Sequence, residues 1–195
     1  MSNRNRARGM SLIEVVIFII VLGIGIAGTV ALFNQLTRSS VDPMVRKQAL
    51  AIASSLLEEI ELKSFTYCDP DDPAVYTAAS TAGCATVQGI VPTAGETRYS
   101  GTTRYDNVGD YGGFCMGPGA PACTDVVIRT ADGTNLAALA NYRVAVTIAA
   151  ISGGAELPAV ADVNDALRIT VTVTHPTGVT VSLQGYRLRY APNSP

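Results

Sequence analysis

The sequence predicts an α+β fold: a long N-terminal helix, membrane-spanning in its first part, packed on a small antiparallel β-sheet with disulfide-bearing loops. Three patterns carry that expectation. Residues 15–33 form an uncharged apolar run, residues 44–64 carry an amphipathic stripe, and the C-terminal third alternates strictly between apolar and polar. The domain organisation follows directly. Residues 1–9 are a short basic leader, residues 10–65 a helical segment, and residues 66–195 a globular antiparallel β domain.

The apolar run comes first. Val15 to Phe33 contains nothing more polar than Thr29, and at about 1.5 Å per residue it reaches roughly 28 Å, the thickness of a bilayer's hydrocarbon core. It accounts for much of a composition that is 48% hydrophobic and only 15% charged. Arg4, Arg6 and Arg8 precede the run, and the next basic residue is Arg38. A positive N-terminal flank stays in the cytoplasm, so everything after Phe33 is expected outside it. All four cysteines, Cys68, Cys84, Cys115 and Cys123, fall in that exported part, where thiols oxidise. Inside the run, "GIGIAG" (23–28) spells the G-x-G-x-x-G dinucleotide pattern, but it lacks the strand and helix start that such a site needs. Gly23, Ala27 and Ala31 instead offer a surface that another helix can approach closely.

The exported half of the helix, 44–64, places Val45, Ala49, Ile52, Leu56 and Ile60 on one stripe with Ala53 and Leu57 beside it. Arg46, Lys47, Glu58, Glu59 and Glu61 fall mostly outside it, so one face is to be buried. Pro43 removes a backbone donor and crowds the preceding turn, which predicts a kink. A new helix capped by Asp42 is the other reading.

From Tyr67 to Ala122 the chain is rich in Pro, Gly, Thr, Ala and Asp and reads as loop with one or two short strands. Tyr142, Val144, Val146 and Ile148 then alternate with polar or small residues, as do Leu167, Ile169, Val171 and Val173. "THPTGVT" places Pro176 second and Gly178 fourth in a tight turn, leading to Val179, Val181 and Leu183. Near Gln184-Gly185 the apolar phase shifts to Tyr186, Leu188 and Tyr190, as a bulge or a change of packed face would produce. The economical arrangement is a three-stranded meander on the amphipathic helix.

Chemistry-bearing patterns are few. His175 is the sole histidine and sits in the expected turn, and no G-x-S-x-G elbow occurs, so catalysis is not expected. The four cysteines allow three pairings; Cys68–Cys84 with Cys115–Cys123 is favoured because it closes two short loops. Tetrathiolate metal binding is disfavoured, since no C-x-x-C spacing occurs. "DNVGDYGG" presents Asp106, Asn107 and Asp110, oxygen ligands of the kind calcium uses, but it lacks a twelve-residue loop ending in glutamate. An Asp/Asn/Gly turn is its first reading and a calcium site its second; no other cofactor is expected. The net charge of −2, more negative once the basic leader is removed, argues against a general nucleic-acid binder.

One junction remains. "SLIE" (11–14) fits a capping box, with an acid in the first turn where the helix macrodipole favours it. That does not explain why arginines stop at Gly9. "RGMSLIEVVIF" resembles the cleavage site of type IV prepilins and pseudopilins: a basic leader ending in glycine, then a mature chain with glutamate as its fifth residue. The resemblance implies that a prepilin peptidase/methyltransferase cuts between Gly9 and Met10 and methylates the new N-terminus at Met10. It also implies that the apolar helix packs into a filament with other pilin subunits. Glu14 would then pair with the ammonium of a neighbouring subunit and set the axial stagger, since an unpaired charge in low dielectric is heavily penalised. Met10 stands where phenylalanine is more usual and Ser11 where threonine is. The span lacks the proline common in major pilins, which fits a minor subunit.

Longer stretches, "SSVDPMVRKQALAIASSLLEEIELKSF", "TRYDNVGDYGGF" and "LRITVTVTHPTGVTVSLQGYRLRY", are similar to the minor pilin-like proteins of MSHA-type pili, the MshD group. The implied protein is a non-enzymatic structural subunit that helps assemble or initiate a filament. It would first be a single-pass inner-membrane protein, in contact with lipid and the assembly platform, with its C-terminal domain in the periplasm, and later part of a pilus or pseudopilus. A type II secretion pseudopilin is one alternative. Another is a tip adhesin or DNA-binding minor pilin, for which Arg98, Tyr99, Arg104 and Tyr105 would need to form an exposed basic–aromatic patch. A cleaved secretory signal is disfavoured, because its apolar region is about 7–15 residues long and ends at a small-residue site.

Overall fold

The computed structural model describes residues 11–119, 121–123, 125–151 and 165–195, with side chains undescribed for 34–42. The expected leader 1–9, including Gly9, and Met10 lie outside the described residues. Helix α1 runs Leu12–Glu61, and Pro43 lies inside these bounds rather than between two helices. The side chain of Asp42, the alternative cap, is among those undescribed. Two compact units divide the chain at Met44/Val45.

In the first unit the apolar stretch Leu12–Phe33, with a mean hydropathy of 2.9, buries none of its side chains. In the second, the remainder of α1 presents the expected stripe. Val45, Ala49, Ala53, Leu56 and Ile60 are buried and Ile52 is half-buried. Ala49 and Ala53, with Leu56 and Ile60, join the strand residues in one buried core. The helix stops at Glu61, short of residue 65, for a local reason. The Lys63 N–H turns back to the Ile60 carbonyl (3.0 Å), and the Ser64 carbonyl accepts the Val108 N–H (3.0 Å). The chain thereby leaves the helix to pair with a distant loop.

The sheet has four antiparallel strands in chain order: β1 Cys115–Met116, β2 Arg143–Ala150, β3 Ala166–Thr174 and β4 Thr180–Leu188. The last three are the expected meander; β1 adds a short edge, pairing Cys115 with Ala145 and Met116 with Val144. Alternation places Val144, Val146, Ile148, Leu167, Ile169, Val171 and Val173 in the core against α1. The β3–β4 turn closes with the Gly178 N–H donating to the His175 carbonyl (3.0 Å), and Gly178 takes φ +90°, which a β-carbon would resist.

The expected bulge or change of face in β4 is not present. Pairing with β3 runs unbroken through Ile169↔Gly185 and Arg168↔Tyr186. The inward position is Gly185 because Leu57 and Glu61 of α1 lie over it; a β-carbon there would approach Leu57 Cδ1 to 3.0 Å. Arg187, also inward, donates to the Lys63 carbonyl (3.0 Å) at the helix exit. Tyr186 and Leu188 therefore stay on the outer face, about half exposed. The sequence phase shifts because a small and a polar residue serve the helix contact, while the strand keeps its faces.

Candidate functional site

At the N-terminus, Ser11 precedes the first helical residue, and its carbonyl accepts the N–H groups of Glu14 (3.0 Å) and Val15 (3.2 Å). Ser11 is thus at the N-cap and Glu14 at the third helical position, the spacing a capping box requires. Glu14 is exposed, as is every residue from Ser11 to Phe33. Around Gly23 and Gly28 nothing lies within 4 Å of where a β-carbon would stand. This helix surface is apolar and locally able to take a close neighbour.

In the globular unit the cysteines are bonded as Cys68–Cys84 and Cys115–Cys123. The first closes a loop with its own small core of Cys68, Val75 and Ala78. Backbone pairing across its neck, from Asp69 N–H to the Thr86 carbonyl (3.0 Å) and Gln88 N–H to the Tyr67 carbonyl (3.1 Å), continues what the disulfide begins. The second disulfide anchors a loop beside β1.

Asp106 and Asn107 lead into a buried single-turn 3-10 helix, Val108–Tyr111, which contains Asp110. Asn107 caps it: Oδ1 accepts the Gly109 N–H (3.2 Å), and Nδ2 donates to Thr66 Oγ1 (2.8 Å). Both polar atoms of Asn107 are therefore engaged within the fold. Asp110 Oδ2 accepts the Asn107 N–H (2.7 Å) and the Asp106 N–H (3.1 Å), and Oδ1 accepts Gln88 Nε2 (2.7 Å). Beside them lies an acid the motif reading missed, Glu96, whose carboxylate is within 4.8 Å of those of Asp106 and Asp110. Glu96 also meets Asp69 and Asp71 within the same distance. Burial and the carboxylates of Asp110, Asp69 and Asp106 push Glu96 up to about 8. Burial and the charges of Asp110, Asp69 and Asp71 push Asp106 up to about 7.

Close backbone approach holds this region together. A β-carbon on Gly109 would stand 2.0 Å from the Gly89 carbonyl oxygen, so the 88–90 segment and the turn touch only because residue 109 has none. Gly109→Ala should therefore destabilise the domain by about 1–3 kcal/mol, read as a lowered thermal midpoint.

A second polar group is buried beneath α1, and sequence reading placed its helix residue on the solvent side. Glu59 Oε1 accepts Arg98 Nε (2.8 Å) and the Tyr111 hydroxyl (2.7 Å), while Arg98 Nη2 reaches Glu59 Oε2. Arg98 is 5% exposed and also donates to the Arg129 carbonyl (3.1 Å). Burial resists ionisation of Glu59, but the hydrogen bonds from Arg98 and Tyr111 and the Arg98 charge outweigh it and hold the carboxyl below its ordinary value. Burial and the Glu59 carboxylate push the Tyr111 hydroxyl up. The basic–aromatic patch considered from sequence is consequently not an exposed surface. Arg98 and Tyr105 are buried and Tyr99 is half-buried, leaving only Arg104 exposed.

Residues 4–30 match the family model for the prokaryotic N-terminal methylation motif. No curated protein and no solved structure matches the chain. The motif supports a type IV pilin-like or pseudopilin-like protein, a class that is generally structural rather than catalytic, with processing by prepilin peptidase and contacts to pilin subunits. Together with the exposed apolar helix it fits an inner-membrane-anchored protein that is later pilus-associated.

Proposed function

We propose that this chain is a minor pilin-like subunit of an MSHA-type pilus, acting in filament assembly or initiation without chemistry of its own. The observation that carries the reading is the coincidence of the methylation motif at 4–30 with a wholly exposed apolar helix at Leu12–Phe33. The leader through Gly9 is removed, Met10 becomes the N-methylated first residue, and the apolar helix passes from lipid to the filament interior. Membrane embedding and helix–helix packing both cover a surface that water would penalise. Glu14, one turn from the new ammonium, pairs with that of an adjacent subunit and selects one axial register. The C-terminal domain, on the periplasmic side before assembly, presents its disulfide-closed loops at the filament surface.

Mass spectrometry of the membrane-extracted protein tests the processing step. The expected mature chain begins at N-methylated Met10 and retains the apolar helix. A chain cut after Phe33, or one keeping residues 1–9, overturns the reading. Co-purification with pilus subunits rather than with a secretion apparatus then separates the MSHA-type assignment from a type II secretion pseudopilin.

A further inference from the structure

Two overlapping sets of carboxylates meet where three loop segments come together. Glu96 is shared by two sets, Glu96–Asp106–Asp110 and Asp69–Asp71–Glu96, and within each set the ligand oxygens lie within 4.8 Å of one another. Among the described residues none of the five pairs with a lysine or arginine. Crowded surface acids are common, and by themselves they would indicate only a solvated patch.

Three buried oxygens have no donor among the described residues, and they indicate more. Asp69 is 2% exposed, and although Oδ1 accepts the Asp71 N–H (2.8 Å), its buried Oδ2 has no donor. Gln88 is 6% exposed; its Nε2 is spent on Asp110, while its carbonyl Oε1 is buried without a donor. Asp106 Oδ1 is buried and unpartnered too. Two carboxylate oxygens of the cluster, and the amide oxygen of the glutamine that donates to Asp110, thus stand buried without a donor among the described residues. Buried acceptors in native folds find a partner, and a cation held by the cluster would supply one.

We infer that Asp69, Asp71, Glu96, Asp106 and Asp110 form a calcium site, with Glu96 as the shared ligand, that ties the Cys68–Cys84 loop to the 92–97 and 106–110 segments. The donor set is oxygen only. All four cysteines are bonded and His175 lies in the β3–β4 turn, so the softer metals have no nitrogen or sulfur ligand here. Ligands around one calcium ion at about 2.4 Å are separated by up to roughly 5 Å, and six to eight irregular oxygens suit it. Magnesium's shorter, near-ideal octahedral shell suits such an irregular set less. Asn107 is not a ligand, because its side chain caps the turn. The ion supplies these loops with the cohesion that their few buried apolar residues do not.

The test uses the full chain purified in detergent, unfolded thermally in EDTA, in calcium chloride and in magnesium chloride, with calorimetric titration of calcium. At a calcium concentration about 100-fold above the dissociation constant the midpoint should rise by about 5–10 °C, and magnesium should give less than about half of that. Glu96→Gln should abolish the rise. Should that variant not fold, Asp71→Asn decides, since Asp71 is exposed and its loss should leave folding intact while weakening calcium binding by about tenfold or more. No rise in the unsubstituted chain, an equal response to magnesium, or a full rise retained by the variants overturns the site.

Discussion

Glu14→Ala should enter the membrane and lose its leader normally, yet appear in filaments at about a tenth or less of the unsubstituted level. Insertion depends on the apolar length of Leu12–Phe33, which the substitution leaves untouched. In the proposed reading, processing depends on the junction before Met10. Incorporation is different, because it sets a charged N-terminus among packed apolar helices, where an ammonium without its carboxylate is strongly disfavoured; a loss of only about 1.4 kcal/mol is already tenfold. The same carboxylate stands at the third helical position after Ser11, the spacing of a capping box, and loss of that local role would cost about 0.3–1 kcal/mol. Glu14→Gln separates the two, since glutamine can complete the cap but carries no charge. If the charge sets the register, Gln fails as Ala does in an immunoblot of sheared filaments. Normal incorporation of Glu14→Gln would leave Glu14 as a cap alone.

The parts of this molecule that are periodic in sequence were legible there, because one stripe or one alternating face had to be buried whatever covered it. Val45, Ala49, Leu56 and Ile60 on α1, and Val144 to Val173 in the sheet, are such cases. The β3–β4 turn was legible because Pro176 and Gly178 each have a positional reason to be there. Strand β1 was not, since two residues cannot show a period and Gly, Pro and Cys surround them. The run Tyr186, Leu188, Tyr190 misled for a physical reason: the pattern assumes that apolar residues take the buried face, but helix atoms over 185 leave room only for glycine, and at 187 an arginine turns inward to the Lys63 carbonyl. The candidate cation cluster was half visible. Asp106 and Asp110 belong to one turn, but Glu96, Asp69 and Asp71 reach it through backbone pairing of loops that have no periodicity. The Glu59–Arg98 contact, 39 residues apart, carries no local signal at all.

That contact supports the second large effect. Arg98→Ala should destabilise the domain at neutral pH by about 3 kcal/mol, the lower end of the range for breaking a buried ion pair, because Glu59 retains 18% of its side-chain exposure. The substitution leaves the Glu59 carboxylate with the Tyr111 hydroxyl and strips the Arg129 carbonyl of a donor. It also removes the guanidinium from the ring faces of Tyr99 (5.2 Å) and Phe114 (5.5 Å). Arg98→Lys should recover only part of this, since one ammonium cannot reproduce the two-pronged contact with both carboxylate oxygens. The pH dependence identifies the charge. In the unsubstituted chain Glu59 is held below its ordinary value of 4.5, so the pair's contribution is complete above about that pH and is lost as pH falls through the depressed folded value. Without Arg98, burial instead favours the protonated acid, and the variant loses stability as pH rises through the carboxyl range. The stability difference between the two proteins should therefore be largest at neutral pH and shrink as pH falls through the depressed folded value, where Glu59 becomes protonated in both. Denaturant midpoints of the detergent-solubilised chains at neutral and acid pH measure it. An equal difference at both would assign the loss to packing around Tyr99 and Phe114, and not to the ion pair beneath α1.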